Sequence, residues 1–403
     1  MANVINTVDA LAKEFLDILT DSLTFITSVN NQYDDQWAKE DGAGYKKGSS
    51  IRISAPWQPV IGDGATASAQ DFTESTITLT IDKHKHAMVA FGAQEQSMEL
   101  SQMSNRVIRP AATRLASDME VDALNVIVGS AQTIIAATPA AMAYTDVLEA
   151  KTLMDEFTAP GNDRTFLASP RSMKGILADT KDLYNSQDAI GNQYVDGYVK
   201  TMNGMDFMAT NRLANITIPA DIVGVTVSAD YVEDAGTITL AGLTAAQVIQ
   251  AGTTFSTALC NKLGPETKQD LGSAWQFTAL EDVTVAGGGT AVVKVAPVHA
   301  TVDGSETVSA LPLAAAAVTF LGLAGKTYRQ AVAYQKDAFT VSFAPLAKLD
   351  GAENSRMELE GVGISVTKDS NILTLQNICR IDTIYGYLTL RGQYAVRVLE
   401  QVD

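Results

Sequence analysis

The stretch from Gly48 to Gly129 constrains the fold more than any other part of the sequence. Two runs of strand character, Ser50 to Pro56 and Ser75 to Phe91, flank a tip rich in Gly, Ala, Ser and Asp, and the second run leads straight into a helical pattern reaching about Val128. Ile51 and Ile53 alternate with Ser50, Arg52 and Ser54, and Ile77, Leu79 and Ile81 alternate with Thr76, Thr78, Thr80 and Asp82. Period two gives each strand one apolar face. The tip, with Gly62, Asp63, Gly64, Ala65, Ser68 and Asp71, has too little apolar material for a core of its own. A two-stranded ribbon is marginal alone in water, so its apolar face needs a neighbouring surface. So long a hairpin ahead of a long helix is expected to contact something outside its own domain.

Beyond Gln94 the period changes. Met98 and Leu100 suggest a short helical piece; then Val107, Ala111, Leu115 and Met119, with Ile108, Ala112, Ala116 and Ala123, form a four-residue stripe to Val126. Pro110 cannot sit inside a helix without breaking its ladder, which predicts a break near Asn105 to Arg109 and Pro110 in the first turn of the long helix. Gly129 is expected to cap that helix.

The length of 403 residues gives room for two to three domains at roughly 150 residues each. With 46% hydrophobic and 19% charged residues, neither a disordered chain nor a collagen-like fibre fits. A net charge of −17 speaks against a protein that neutralises nucleic-acid phosphates and points to a basic partner instead. Cys260 and Cys379 stand in no CxxC or Cys/His spacing, so neither a metal knuckle nor a redox pair is expected, nor a disulfide. Met1 to Phe15 carries Asp9 and Glu14 where a signal peptide has a basic start and an apolar stretch. Ala310 to Ala324 is interrupted by Pro312, Thr319 and Gly322, so no membrane span of about 20 apolar residues is expected.

At the amino end Val8, Leu11, Phe15, Leu16, Leu19 and Leu23 recur at helical steps, with Asp9, Glu14, Asp17 and Asp21 largely off the stripe. Such an amphipathic acidic helix either lies on its own core or serves as an arm that docks on a neighbour or a basic partner. Asn30 to Gly48 reads as a polar linker. Ala143 to Thr158 reads as a helix, with Thr145 able to cap it and Pro160, Gly161 and Asn162 to stop it; Arg164 to Ala168 is a short buried strand, and Ser169, Pro170 and Arg171 open a helix to Ala178. Tyr184 to Met202 reads only as polar and flexible.

Near Leu213 the character shifts to Val, Thr, Ala and Gly, with strands expected at Gly224 to Ser228, Thr237 to Ala241, Trp275 to Leu280, Ala291 to Val298 and Val318 to Leu321. Turns at Asp234 to Gly236, Gly287 to Gly289 and Asp303 to Ser305 separate them, which suits a small all-β barrel or sandwich running to about Lys326. Alternating runs at Met357 to Glu360, Gly363 to Thr367 and Asn377 to Leu390 are expected to complete the sheet begun before Leu213. The β segment is then an insertion into one larger domain.

Catalytic chemistry finds little to build on. Gly325, Lys326 and Thr327 resemble the end of a phosphate-binding loop, but Phe320 stands where that loop needs its first Gly. His84 and His86 share a strand face, yet Lys83 and Lys85 beside them disfavour a cation, and His299 is the only other histidine. There is no GxSxG motif or nucleophilic-cysteine signature, and Glu233 with Asp234 reads as a turn. No catalytic, cofactor or metal site is expected.

The order of parts, and short phrases within them, resemble the major coat protein family of short-tailed double-stranded DNA phages of the Salmonella podovirus type. The residues that carry the resemblance are Ile61 to Phe72, Asn105 to Asn125, Thr253 to Thr278, Thr327 to Pro345 and Asn377 to Arg397, with the phrases CNKLGPETKQ at Cys260 to Gln269, WQFT at Trp275 to Thr278, and KTYRQAVAYQKDAF at Lys326 to Phe339. The resemblance implies an α+β fold of the Hong Kong 97 capsid type. Its parts would be an N-terminal arm at 1–47, an extended E-loop hairpin at 48–93, the spine helix and peripheral region at 94–142, the first part of the apical A-domain at 143–212, an inserted β-barrel domain at 213–326 and C-terminal strands at 327–403. In that fold the hairpin lies over a neighbouring subunit and the inserted domain aids folding and reaches a neighbour through a long loop; here the matching loop, Asp230 to Gly236, is short.

The function so implied is a structural one: a virion subunit, made in the host cytoplasm, that assembles into hexamers and pentamers of an icosahedral head around double-stranded DNA. Its implied partners are further copies of itself, a scaffolding protein, a portal and a decoration protein, with no sequence-specific DNA binding and no membrane. The hairpin tip, Ile61, Gly62, Asp63, Gly64, Asp71 and Phe72, is the candidate contact between copies, and Asp9, Glu14, Asp17 and Asp21 are the candidate site for a basic scaffold segment. The rivals are a cellular nanocompartment of the same fold, a β-rich tail or adhesion protein, and an enzyme.

Overall fold

In the computed structural model the described residues are 8–33, 50–54, 76–92, 108–131, 133–136, 141–180, 201–233, 235–297, 306–344, 346, 352–371 and 376–402. They divide into two units. The first draws on Met1–Ser54, Thr76–Ala123 and Phe339–Leu388, the second on Leu124–Ala338 and Thr389–Asp403. The hairpin tip, the helical piece around Met98 and Leu100, and most of Tyr184 to Met202 lie outside the described residues.

The first unit is built on a five-stranded sheet of Lys83–Gly92, Phe339–Ala344, Glu353–Leu359, Val362–Asn371 and Gln376–Thr389. Its longest strand, Gln376–Thr389, pairs antiparallel with Lys83–Gly92 over ten residues, from Tyr385 opposite Lys83 to Gln376 opposite Gly92. Period two then sorts the side chains. Cys379, Ile381, Thr383 and Tyr385 are buried, while His84, His86, Met88 and Arg380 are exposed. The helix Val8–Ser22 packs on Glu353–Leu359 and Val362–Asn371 and buries Ala12, Phe15, Leu16 and Leu19. Of its two readings, the apolar stripe therefore serves the chain's own core. The long helix Arg109–Ile127 starts where Pro110 required, and buries Ala112, Leu115, Ala116, Met119 and Ala123.

This arrangement corrects one expectation. The strands Glu353–Leu359, Val362–Asn371 and Gln376–Thr389 do not complete the sheet begun before Leu213; they pair among themselves and with the strand that continues the hairpin, and of the strands after Gly351 Ala395–Gln401 joins that earlier sheet. Two caps are also corrected. The long helix runs into a 3-10 turn at Val128–Ser130, in which Gly129 does not take a left-handed φ. The helix Tyr144–Glu156 is opened by Asp146, whose carboxylate accepts from Ala143 N at 2.9 Å, and Thr145 already lies inside it.

In the second unit a seven-stranded sheet runs in the order Thr133–Ala136, Ala395–Gln401, Thr327–Gln335, Arg164–Ala168, Met205–Ala209 and Thr201–Met202, with Ile216–Thr217 pairing on Thr327–Gln335. Its middle strands are buried on both faces along most of their length, Arg164–Ala168 throughout, as a sheet covered on both sides requires, although Arg164, Gln330, Arg397 and Glu400 interrupt their apolar residues. Ser169 caps the helix Pro170–Thr180, its Oγ accepting from Ser172 N at 3.1 Å.

Between Ile216–Thr217 and Thr327–Gln335 the chain forms a six-stranded sheet ordered Val318–Phe320, Thr254–Leu263, Asp270–Ala279, Thr290–Ala296, Thr237–Ala241 and Thr226–Val227. Its two ends meet. Thr226 bridges Ala317, with Val227 N donating to Ala316 O at 3.0 Å and Val318 N to Val225 O at 2.9 Å, so the sheet closes into a barrel. Phe255 stacks on Phe277 at 5.6 Å between ring centres, and Trp275, Phe320, Val293 and Val295 fill the interior. The same apolar cluster continues through Ile216, Tyr328, Ile134 and Leu399 into the seven-stranded sheet.

Candidate functional site

The arm shows how the fold separates a packing face from a free face. Asp9, Asp17 and Asp21 are exposed, and Glu14 is half-buried. Just after the helix, the buried carboxylate of Glu120 on the long helix accepts from Phe25 N at 2.7 Å, from Thr24 Oγ1 at 3.2 Å and from Thr24 N. Asn30 is buried too: its N donates to Phe339 O at 3.2 Å and its O accepts from Val341 N at 3.2 Å and Thr340 Oγ1 at 2.7 Å. The first residues of the expected linker are thus anchored to a strand; 34–49 lie outside the described residues. The arm is held at two points, and its acidic side faces water.

The hairpin residues Ile61, Gly62, Asp63, Gly64, Asp71 and Phe72 lie outside the described residues. Its root does not. Ser50–Ser54 pairs antiparallel with Thr76–Thr80, with Ile51 opposite Leu79 and Ile53 opposite Ile77. Ile51 and Leu79 are buried, with Tyr33, Ile53, Ile81, Ala344 and Leu388 packed around them. Gly386 lets this root approach: a Cβ there would stand 2.2 Å from Thr80 O. The root of the ribbon therefore finds its neighbouring surface within the same chain.

His84 and His86 lie on the face of the strand that also carries Asp382 of its neighbour. His84 Nε2 lies 2.8 Å from Asp382 Oδ1, which also takes Arg380 Nη2 at 2.8 Å and Arg380 Nε at 3.0 Å. Among the described residues, no group of three or more His, Cys, Asp or Glu is placed to hold a metal ion. Behind the same sheet, Tyr385 Oη donates to Asp122 Oδ2 at 3.0 Å, and Lys85 Nζ pairs with Asp118 at 2.8 Å, which raises the lysine's pKa. Burial pushes the Cys260 thiol up to about 12 and raises that of Cys379; both cysteines are free, and both are poor nucleophiles at neutral pH. Gly322 and Gly325, with φ of 105° and 69°, turn the chain ahead of Lys326. Among the described residues no helix is long and apolar enough to cross a membrane.

The second unit holds a joint that the sequence did not announce. Arg397 is fully buried, its Nη2 donating to Gly252 O at 2.8 Å and Thr254 Oγ1 at 2.7 Å and its Nη1 to Gln330 Oε1 at 3.0 Å. Desolvation lowers its pKa. Gln276 of the barrel takes both backbone groups of Ile134, and Lys262 Nζ reaches Thr133 Oγ1 at 3.3 Å and stands 5.6 Å over the Phe157 ring. Burial pulls the Lys262 pKa down to about 8. The short Asp230 to Gly236 loop is pinned as well: Asp230 Oδ1 accepts from Ala314 N at 2.7 Å, and Tyr231 N donates to Pro312 O at 2.9 Å. These are devices for holding elements in place, and none presents a nucleophile beside a base. The one sequence signal for the hidden clamps is a polar residue flanked by apolar ones, such as Gln276 between Trp275 and Phe277; Glu120, in a stretch that also carries Asp118 and Asp122, gives no such signal.

Residues 55–396 match the family described as P22 coat protein, gene protein 5. No curated protein matches the chain. Among solved structures, the chain is similar to that of Mycobacterium phage Che8 (11% identity, 93% of this chain and 90% of that one, TM-score 0.48). It is also similar to the capsid of Cyanophage P-SCSP1u (12%, 89% and 85%, 0.45). A third likeness is to the mature capsid of bacteriophage PhiM1 (10%, 87% and 82%, 0.44).

Proposed function

The chain belongs to the P22 coat protein family, and from that premise we propose how its parts divide the work of a shell. It is a major capsid protein, a structural virion component that assembles with copies of itself, and not an enzyme. The mixed, strand-rich architecture suits the Hong Kong 97 type of capsid fold, with Arg109–Ile127 as the spine helix.

In this reading copies join as hexamers and pentamers, and the hairpin tip, Ile61 to Gly64 with Asp71 and Phe72, reaches the next copy. What supports this is a root seated on its own sheet at Ile51, Leu79 and Gly386, together with a tip sequence that is uncharged to acidic and has too little apolar material for a core of its own. The exposed Asp9, Asp17 and Asp21, with Glu14, form the docking face for a basic scaffold segment. The observation that carries this is the double clamp at Glu120 and Asn30, which fixes the arm while its acids stay in water. Assembly in the host cytoplasm, a portal, a decoration protein and packaged DNA complete the proposal. The family match favours a phage head over a cellular nanocompartment or a tail protein.

Electron microscopy of the chain coexpressed with its scaffold tests the reading. Closed shells are expected from the unaltered chain. Deleting Gly62 to Gln70 should leave a folded subunit that assembles poorly, and replacing Asp9, Asp17 and Asp21 by Lys should leave a folded subunit that no longer recruits scaffold. Normal scaffold content in the charge-reversed shells would overturn the arm assignment. Normal assembly of the deletion would overturn that of the hairpin.

A further inference from the structure

Among the described residues the strand Thr133–Ala136 is the terminal strand of the seven-stranded sheet: it pairs parallel with Ala395–Gln401 on one side and with no described strand on the other. Its sequence, Thr-Ile-Ile-Ala, is uncharged and rich in β-branched residues, the composition most prone to recruit another strand. Yet the outward backbone groups of Ile134 are satisfied. Gln276 Oε1 accepts from Ile134 N at 2.5 Å, and Gln276 Nε2 donates to Ile134 O at 3.0 Å.

A carboxamide is the one uncharged side-chain group that offers donor and acceptor together in the plane and spacing of a peptide. Gln276 therefore reproduces, with one side chain, the pair of bonds that a neighbouring strand would make to Ile134. Lys262 adds a second contact from the barrel to the same strand: its buried ammonium group lies within 3.3 Å of Thr133 Oγ1.

We infer that Gln276 closes the outer edge of the seven-stranded sheet against an extended strand from a second copy of this chain. A second copy is the relevant intruder because shell assembly brings identical chains side by side, each carrying the same segment. The barrel then does more than enclose apolar side chains: one residue of it keeps copies from associating through the wrong edge. The inference rests on self-association of the chain and on neither the hairpin nor the arm assignment, whose tests read different variants.

The experiment compares the unaltered subunit with Gln276→Leu, which keeps the volume and removes both polar groups. With Trp37 and Trp57 replaced by Phe in both proteins, Trp275 emission reports whether the barrel is intact. In the unaltered, unassembled subunit the Ile134 amide should exchange with solvent deuterium as slowly as amides inside the ladders. In folded Gln276→Leu it should exchange at least tenfold faster, and β-rich aggregates that are not shells should sediment in proportion to concentration. Unchanged exchange, faster exchange without aggregates, or aggregates with Ile134 still protected would each overturn the inference. Should Gln276→Leu lose the native Trp275 emission, the exchange of Ile134 in the unaltered subunit decides: exchange at the rate of a free edge overturns the inference, and slow exchange sustains it.

Discussion

The barrel spanning 226–320 encloses its apolar side chains by joining its first strand to its last, whereas the five-stranded sheet of the first unit is covered by helices on one face and leaves His84, His86, Met88 and Arg380 of the other in water. The strands alternate in the same way in both, but what holds them differs. In the barrel, Phe255, Trp275, Phe277 and Phe320 form a shared interior, and stability comes from filling volume. In the first unit much of the hold lies in single polar contacts between sheet, arm and helix: Glu120 to Thr24 and Phe25, Tyr385 to Asp122, Lys85 to Asp118. The barrel should therefore be most sensitive to changes of size and the first unit to the loss of particular partners.

The largest expected effect is on the barrel. Trp275→Ala should cost about 3 to 5 kcal/mol through lost burial and the cavity left behind. Urea unfolding would measure it, and a cost below about 1 kcal/mol would break the comparison, since even a modest cavity costs more.

Lys262 is the exception to the rule of volume, because here the barrel buries a charge. Its pKa falls from 10.5 to about 8, so between those values the unfolded chain holds more protons than the folded one and stability rises with pH; below pH 8 the full penalty is present. Lys262→Met should therefore stabilise the chain near pH 7, by about 3 kcal/mol at most, and flatten that rise. Tyr385 is pushed upward by burial and nearby Asp122, and so works in the opposite sense above its ordinary pKa. It contributes equally in variant and parent, so the difference between their pH profiles isolates Lys262. A variant less stable than the parent at pH 7 would show that the ammonium contact with Thr133 outweighs desolvation.

In the first unit Glu120→Ala leaves Thr24 N and Phe25 N without their acceptor, at a cost of about 2 to 3 kcal/mol. Limited proteolysis should cut the arm before any other described segment. An arm as resistant as the parent's would mean that its apolar face alone holds it. Gly386→Ala, which drives a methyl group onto Thr80 O, should cost about 1 to 3 kcal/mol and loosen the hairpin root, read by hydrogen exchange at Leu79 and Thr80.

Much of the local structure could be read from the residues. Thr237–Ala241 and Arg164–Ala168 are strands with the boundaries their patterns gave, and the long helix begins at Arg109 because Pro110 tolerates only a first turn. The alternation that marks an apolar face and the helical stripe of Phe15, Leu16 and Leu19 are properties of neighbours along the chain, where dihedral preference and side-chain period act.

Which strand pairs with which was decided elsewhere. Asn377 to Leu390 had the right pattern for several sheets, and its ten-residue register with Lys83–Gly92 prevailed. The clamps were less visible still. Glu120 meets Thr24 across 96 positions and Gln276 meets Ile134 across 142, and a polar residue does not announce its partner. The sequence by itself determined the elements, the acidic arm and the absence of any recognisable catalytic motif. Only the tertiary structure decided the sheet memberships, the closure of the barrel and the capping of an edge by Gln276, because a buried donor or acceptor is satisfied by whatever folding brings to it.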